Sequence, residues 1–515
     1  MKSFIVAGLL AATAITGVTA AISQTAEPTP PAPASTGAQY GTFGFDEKGM
    51  DKTVQPGDDF YSYANGTWAK NTPIPADKAA YGAFNFLSDL SESRTRGILD
   101  TAAKDPKSKI GRAYATYLDT GTIEAKGPAP IRPWLKKIAA LNDRAGYPAL
   151  LAEADRAGIG GPFGGGVGQD DKQPEQYALS LGQSGLGLPD RDYYLSTDAK
   201  LVEARNAYRA HIVKMLGLAG EPNAEARATA LLAFETEIAK VSWTRVDSRD
   251  ATKTYNKMTV ADLAKRAPGF DFAAYFKGIG TPVPTVIVAQ PSAITGIAKL
   301  VATAPIGVLK DQLILRSLDG YAEVLPKAFD AEQFAFFGTV LGGTPEQEAR
   351  WKRGVQFTSG ALDDEVSKLY VAQYFPPETK AAADKLVKNV LAAMGRRIDK
   401  LEWMAPETKV KAHAKLAAFT PKIGYPSQWK DFSGLTITSG DAFGNEWRAN
   451  EWQHQDNISK LGKPLQRWEW GMTPMTVNAY ANFGMVEIVF PAAILQPPFF
   501  DPKADDAVNY AASAR

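Results

Sequence analysis

Apolar residues recur at three- and four-residue steps through much of the chain, a spacing that puts them on one side of an α-helix. The clearest case runs from Glu378 to Trp403, where Val387, Val390, Leu391, Met394, Ile398 and Leu401 form one face. Pro376-Pro377 halts the chain before it and Pro406 follows it, as helix boundaries require. Ala230 to Val241 repeats the pattern with Leu231, Phe234, Ile238 and Val241 on one side. From about residue 55 the chain therefore reads as helical for a long way, with Gly158–Gly168 and Gly185–Pro189 as loops between helices.

The period changes after about residue 425. Gly424-Tyr425-Pro426 reads as a turn. Thr476–Tyr480 and Met485–Phe490 are short β-prone runs, and Asn482-Phe483-Gly484 between them fits a hairpin turn. The pattern predicts a large helical lobe followed by the start of a lobe that contains strands.

The first residues obey a different rule. Lys2 precedes an apolar stretch from Phe4 to Val18, and Val18-Thr19-Ala20 supplies small residues for cleavage, so residues 1–20 read as a signal peptide. An uncleaved anchor running on to Ile22 is the alternative. Pro28, Pro30, Pro31 and Pro33 then sit among Ala, Thr and Ser, which makes residues 21–48 a semi-rigid linker. The expectation is a periplasmic or secreted protein with no stable membrane span after cleavage.

Composition narrows the chemistry. The 515 residues carry 57 Lys+Arg against 56 Asp+Glu, so no net basic field exists to collect phosphates, and nucleic acid is not expected as a partner. With no Cys there is no disulfide, no thiolate nucleophile and no Cys-ligated metal. The only His residues are His211, His413 and His454, far apart in sequence and without an acidic or His neighbour at metal-ligand spacing. They read as structural or solvent-facing. No Gly-x-Ser-x-Gly elbow is present. Gly185 to Tyr194 lacks the strand–loop–helix setting of a phosphate loop and reads as a structural turn. Gln496-Pro497-Pro498-Phe499-Phe500 reads as a packed loop, because its prolines bar it from a central strand.

Asn478-Ala479-Tyr480 lies in the first β-prone run. An exposed edge strand can take up an extended peptide, and an Asn side chain offers both a donor and an acceptor to a peptide backbone. Taken alone, the tripeptide is no evidence for a site, because an Asn in a strand is usually just near a turn.

Ordered blocks add a resemblance. Pro56-Gly57-Asp58-Asp59-Phe60-Tyr61, Asn65-Gly66-x-Trp68, Gln183–Leu195, Tyr255-Asn256-Lys257-Met258 and Arg350-Trp351-Lys352-Arg353 come first. Leu369-Tyr370-Val371, Leu401-Glu402-Trp403-Met404 and Lys422-Ile423-Gly424-Tyr425-Pro426 follow. Trp470-Gly471-Met472-Thr473-Pro474, Val477-Asn478-Ala479-Tyr480, Ile488-Val489-Phe490-Pro491-Ala492 and Gln496–Phe500 close the series. Together they resemble the neprilysin and endothelin-converting-enzyme family of zinc metallopeptidases in its bacterial, Cys-free form, over roughly residues 50–512.

The resemblance implies a mainly α fold, with a large helical lobe and the start of a thermolysin-like α+β catalytic lobe. It assigns residues 49–430 to the helical peptidase domain and 431–515 to an incomplete catalytic domain. It implies peptide substrates, whose backbone Asn478 and Ala479 would bond; Tyr480 belongs to the same motif, and Phe84 matches a position near the primed-side pocket. Ala80 and Ser88 stand where relatives carry Arg, against carboxylate-end recognition of the vertebrate kind.

The family's zinc is held by two His one helical turn apart and a downstream Glu, with a Glu between the His pair as general base. None of these is in this sequence. Relatives reach them shortly after the Asn-Tyr matched by Asn509-Tyr510, whereas this chain runs to Ser513-Ala514-Arg515. One coding of the relatives' Ile-Gly-Ala-Val-Ile, ATC GGC GCG GTG ATC, reads Ser-Ala-Arg-stop once its first base is deleted. The expectation is therefore a frameshifted, truncated peptidase, inactive alone and with no zinc bound to this chain. A non-catalytic peptide binder and one half of a split peptidase are the alternatives.

Overall fold

The computed structural model describes residues 38–513. The signal peptide and most of the linker lie outside the described residues; residues 38–46 form turns that lead into a short 3₁₀ helix, Glu47–Gly49. Helices dominate the rest, and many begin where a side chain satisfies a free backbone N–H. Asp59 accepts from Ser62, Ser108 from Gly111, Thr259 from Asp262, Asp271 from Ala274 and Asp441 from Gly444.

Both helices read from periodicity are present. Pro377–Asp399 has 23 residues with proline at its start. The second runs Ala224–Val241, six residues longer at its start than its apolar pattern, and buries Leu231, Phe234 and Ile238. The long helix differs from expectation in what covers its apolar face. Val387 and Ile398 are buried, but Val390 and Met394 are about half exposed. They border an apolar cleft of about 590 Å³ shared with Trp403, Leu416, Phe419 and Ile488.

Two cores hold the molecule. The first centres on the helix Ile306–Gly320, where Leu309, Leu313, Ile314, Leu315 and Leu318 are buried against the helices Ala199–Leu218 and Ala224–Val241. Each such leucine contributes about 1.5–3 kcal/mol by leaving water. The second core joins distant stretches: Ile98 and Leu99, Ile110 and Tyr114, Tyr370 and Phe375, then Ile423, Phe432, Leu495 and Phe500.

The helical lobe also contains a four-stranded sheet in the order β1-β2-β4-β3: β1 Phe163–Asp170, β2 Gln173–Gln183, β3 Asn256–Thr259 and β4 Thr285–Val288. This corrects the reading of Gly158–Gly168 as a loop. Glycine weakens a strand's own preference, so Gly164, Gly165, Gly166 and Gly168 hide it. The strand persists because β1 and β2 pair antiparallel from Phe163↔Gln183 onward. At Gly165, φ is +158° and an added Cβ would stand 2.0 Å from the Ser180 carbonyl oxygen. The free edge of β1 is closed by Asn457, which accepts from Val167 N at 3.0 Å and donates to Val167 O at 2.9 Å.

A second sheet has three strands in the order β5-β7-β6: β5 Thr420–Gly424, β6 Tyr480–Asn482 and β7 Glu487–Pro491. β5 runs parallel to β7 and β6 antiparallel to it. The first β-prone run therefore enters the ladder at Tyr480, not Thr476. Residues 473–477 are held otherwise: Thr476 N bonds Thr473 O, Ser91 Oγ donates to Met475 O, and Ala493 N donates to Pro474 O. Asn482-Phe483-Gly484 opens the hairpin turn as expected, with Met485 N donating to the Asn482 side chain.

Among the described residues no single helix is long and apolar enough to cross a membrane. Pro291–Thr303 and Ile306–Gly320 together pass by length and composition, but they meet at 115° and their apolar faces form the first core.

Candidate substrate-binding site

The short sheet fixes the candidate site. β6 is an edge strand, pairing on one side only through Tyr480↔Val489, Ala481↔Ile488 and Asn482↔Glu487. Asn478 and Ala479 come immediately before it. Asn478 is exposed, and its Oδ1 accepts from Ala479 N at 2.8 Å. The Tyr480 hydroxyl accepts from Gly471 N at 2.7 Å, which ties the strand's start to the preceding loop. Burial pushes the Tyr480 phenol up; the Gly471 N–H opposes this.

Phe84 stands in the first turn of the helix Ala83–Ala102, half exposed, with its ring 4.6 Å from that of Phe499. The same helix reaches both segments of the site. Ser91 Oγ donates to Met475 O at 2.7 Å, three residues before Asn478, and Arg94 donates to Gln496 Oε1 at 3.3 Å. One helix thus positions Phe84 against Gln496–Phe500 and braces the turn that delivers Asn478 to the strand edge.

Beneath the hairpin lies a pair that sequence reasoning missed. Glu487 is 2% exposed, and its carboxylate meets Lys422 of β5 at 2.8 Å. Alternation along β7 would have revealed it, since Glu487, Val489 and Pro491 share the buried face. An acid on that face needs a buried cation, because an unpaired charge there is costly. The pair locks β5 to β7 below the edge strand.

The three His are accounted for by local partners. His211 lies on the helix Ala199–Leu218, 1% exposed, with Nε2 2.9 Å from Asp319 and Nδ1 3.1 Å from Glu332. Sequence spacing gave it no acidic neighbour; the fold supplies two from other helices. Burial disfavours its charge, but hydrogen bonds and charge from Asp319 and Glu332 outweigh that and raise its pKa to about 9. His413 Nε2 meets Asp399 at 2.7 Å, and His454 Nε2 donates to the Ile279 carbonyl at 2.7 Å. Both ring nitrogens of His211 are bound to carboxylates, so neither is free to ligate a metal in this arrangement. Among the described residues no three His, Asp or Glu side chains are grouped to hold a metal.

Comparison with known proteins matches this arrangement to one family. Residues 56–426 and residues 478–514 each match a profile described as peptidase family M13. The endothelin-converting enzyme homolog of Locusta migratoria is 30% identical over 497 residues, covering 90% of this chain and 68% of that protein. Neprilysin-3 of Drosophila melanogaster is 28% identical, covering 90% of this chain and 64% of its own length. The chain thus spans about two thirds of the curated relatives it matches. Among solved structures, an inhibitor complex of the zinc metalloprotease Zmp1 of Mycobacterium tuberculosis superposes with a TM-score of 0.87 at 38% identity, over 91% of this chain and 72% of that one. With a profile match over most of its length and a fold shared with a zinc metalloprotease, the chain belongs to peptidase family M13.

Proposed function

We propose that this chain provides the helical enclosure and the substrate-binding strand of an exported zinc metalloendopeptidase that acts on peptides. What supports the reading most is the exposed Asn478, two residues before an edge strand, in a chain whose relatives are peptidases. An extended peptide adds to β6, with Asn478 and Ala479 bonding its backbone and Phe84 bordering the primed side. Hydrolysis in the family uses a zinc ion and a Glu base; neither the ligands nor the base is among these residues, so the chain alone does not hydrolyse peptides. The test is cleavage of an internally quenched peptide by the purified chain, with and without zinc. No turnover is expected. Zinc-stimulated turnover that a chelator abolishes would refute the inactive reading. Peptide binding should persist, and Asn478→Ala should weaken it by about tenfold, the effect of losing one or two backbone bonds.

Peptide capture without hydrolysis is the second reading. It is favoured by the site's being built on the described strand edge while His211, the most enclosed of the three His, is engaged by two carboxylates. Export to the periplasm or beyond follows from the signal peptide, and the shift of an epitope-tagged chain to a periplasmic fraction tests it.

A further inference from the structure

The sheet order β1-β2-β4-β3 leaves two edges in the helical lobe. β1 is closed by Asn457, as described above. β3 pairs with β4 alone, from Asn256↔Val288 to Thr259↔Thr285, and no strand among the described residues lies on its other side. A groove of about 340 Å³ opens there, with Lys172, Tyr255, Asn256, Lys257, Met258 and Arg266 in its lining. Successive side chains of a strand point to opposite faces. A groove that touches Asn256, Lys257 and Met258 in turn therefore follows the edge of β3, not one face of the sheet.

The charge of this groove has one sign. Its lining holds three cations and no acid. Lys257 is matched by Asp170, 2.7 Å away and 1% exposed. Lys172 and Arg266 are exposed, and neither makes an ion pair among the described residues. The Lys172 ammonium lies over the Tyr255 ring, 4.7 Å from its centre. Asp262, one turn before Arg266, is taken by Thr259 at 2.7 Å and Lys265 at 3.4 Å. Two accessible positive groups thus flank a strand edge.

An unpaired edge takes up an extended segment through its N–H and C=O groups. Cations along the edge deter a strand that would leave them uncompensated and admit one that brings acids. Residues 1–37 contain a single acid, Glu27, so that stretch of this chain does not supply the match.

We propose that the β3 edge binds an extended acidic segment of a second polypeptide, its backbone pairing with β3 and its acids meeting Lys172 and Arg266. The site lies in the helical lobe and does not rest on the reading of β6. The test uses the full chain and fluorescein-labelled acetyl-Glu-Val-Glu-Val-Glu-amide, read by fluorescence anisotropy. Comparison probes are the same peptide with Lys for Glu, the acidic peptide with alternate backbone nitrogens methylated, and a short oligoadenylate. The acidic peptide should bind at least tenfold more tightly than each of these, and more weakly as salt is raised. Lys172→Glu with Arg266→Glu should cost tenfold or more, while Asn478→Ala leaves the affinity unchanged. Binding of the methylated peptide or the oligoadenylate as tight as that of the acidic peptide would reduce the site to charge alone and overturn the edge pairing. No binding, equal affinity for the Lys peptide, indifference to the double variant, or a loss on Asn478→Ala would each overturn the assignment. Should the double variant fail to fold, Lys172→Gln with Arg266→Gln decides it, with a loss of a few-fold expected and no loss overturning it.

Discussion

His211 is the residue whose chemistry changes most between unfolded and folded chain. Its folded pKa of about 9 lies above the 6.5 of the free side chain. Protonation therefore favours the fold: the contribution is complete below pH 6.5 and is lost as pH rises toward 9. A shift of that size corresponds to about 3 kcal/mol. The melting temperature should fall between pH 6.5 and pH 9, and His211→Gln, which keeps hydrogen-bonding ends without the charge, should remove most of that slope. A wild-type melting temperature flat across this window would contradict the assignment. Sequence spacing is blind to such a site, because Asp319 and Glu332 lie more than a hundred positions away along the chain.

Among the elements, those with an unbroken apolar period were legible and those resting on partners were not. Pro377–Asp399 and Ala224–Val241 declared themselves through spacing and prolines. β1 did not, because its four glycines carry no side chain for a pattern to register; its strand state comes from β2 and from Asn457. The hairpin was legible through Asn482 and Gly484, but its first strand begins four residues later than its β-prone run, at Tyr480, because residues 473–477 are held by Ser91 and Ala493, contacts that only the fold brings together. The candidate site divides likewise. Asn478 could be found from its motif, Lys422–Glu487 only from the alternation within β7 once its register is known. Gly165→Ala should test the β1 account. The added methyl meets the Ser180 carbonyl, so a loss of about 1–3 kcal/mol in urea unfolding is expected. An unchanged midpoint would mean that the two strands do not approach so closely.

At the scale of the whole molecule, the cleft beside β5 and β7 stands out. Val390, Met394 and Trp403 are 47%, 49% and 77% exposed along one apolar surface. Contiguous apolar surface of this kind binds hydrophobic dyes and drives association, more so with a formal net charge of only +1 to keep copies apart. Met394→Lys with Trp403→Lys should lower light scattering and dye fluorescence of the purified chain, with a melting temperature close to wild type. Unchanged dye fluorescence would place the exposed surface elsewhere.

The second core also sets an order in time. A ribosome delivers Ile98, Leu99, Ile110 and Tyr114 early, but their partners Ala492, Ala493, Ile494, Leu495 and Phe500 arrive almost four hundred residues later. Every buried member of the first core has been made by Phe443. Synthesis therefore passes through a stage in which one core has all its parts while the second, built on the helices Ala83–Ala102 and Lys109–Leu118, still lacks its last segment. The hairpin that carries β6 is made in the same late stretch that completes the second core, so the exposed edge of β6 and that core are finished together.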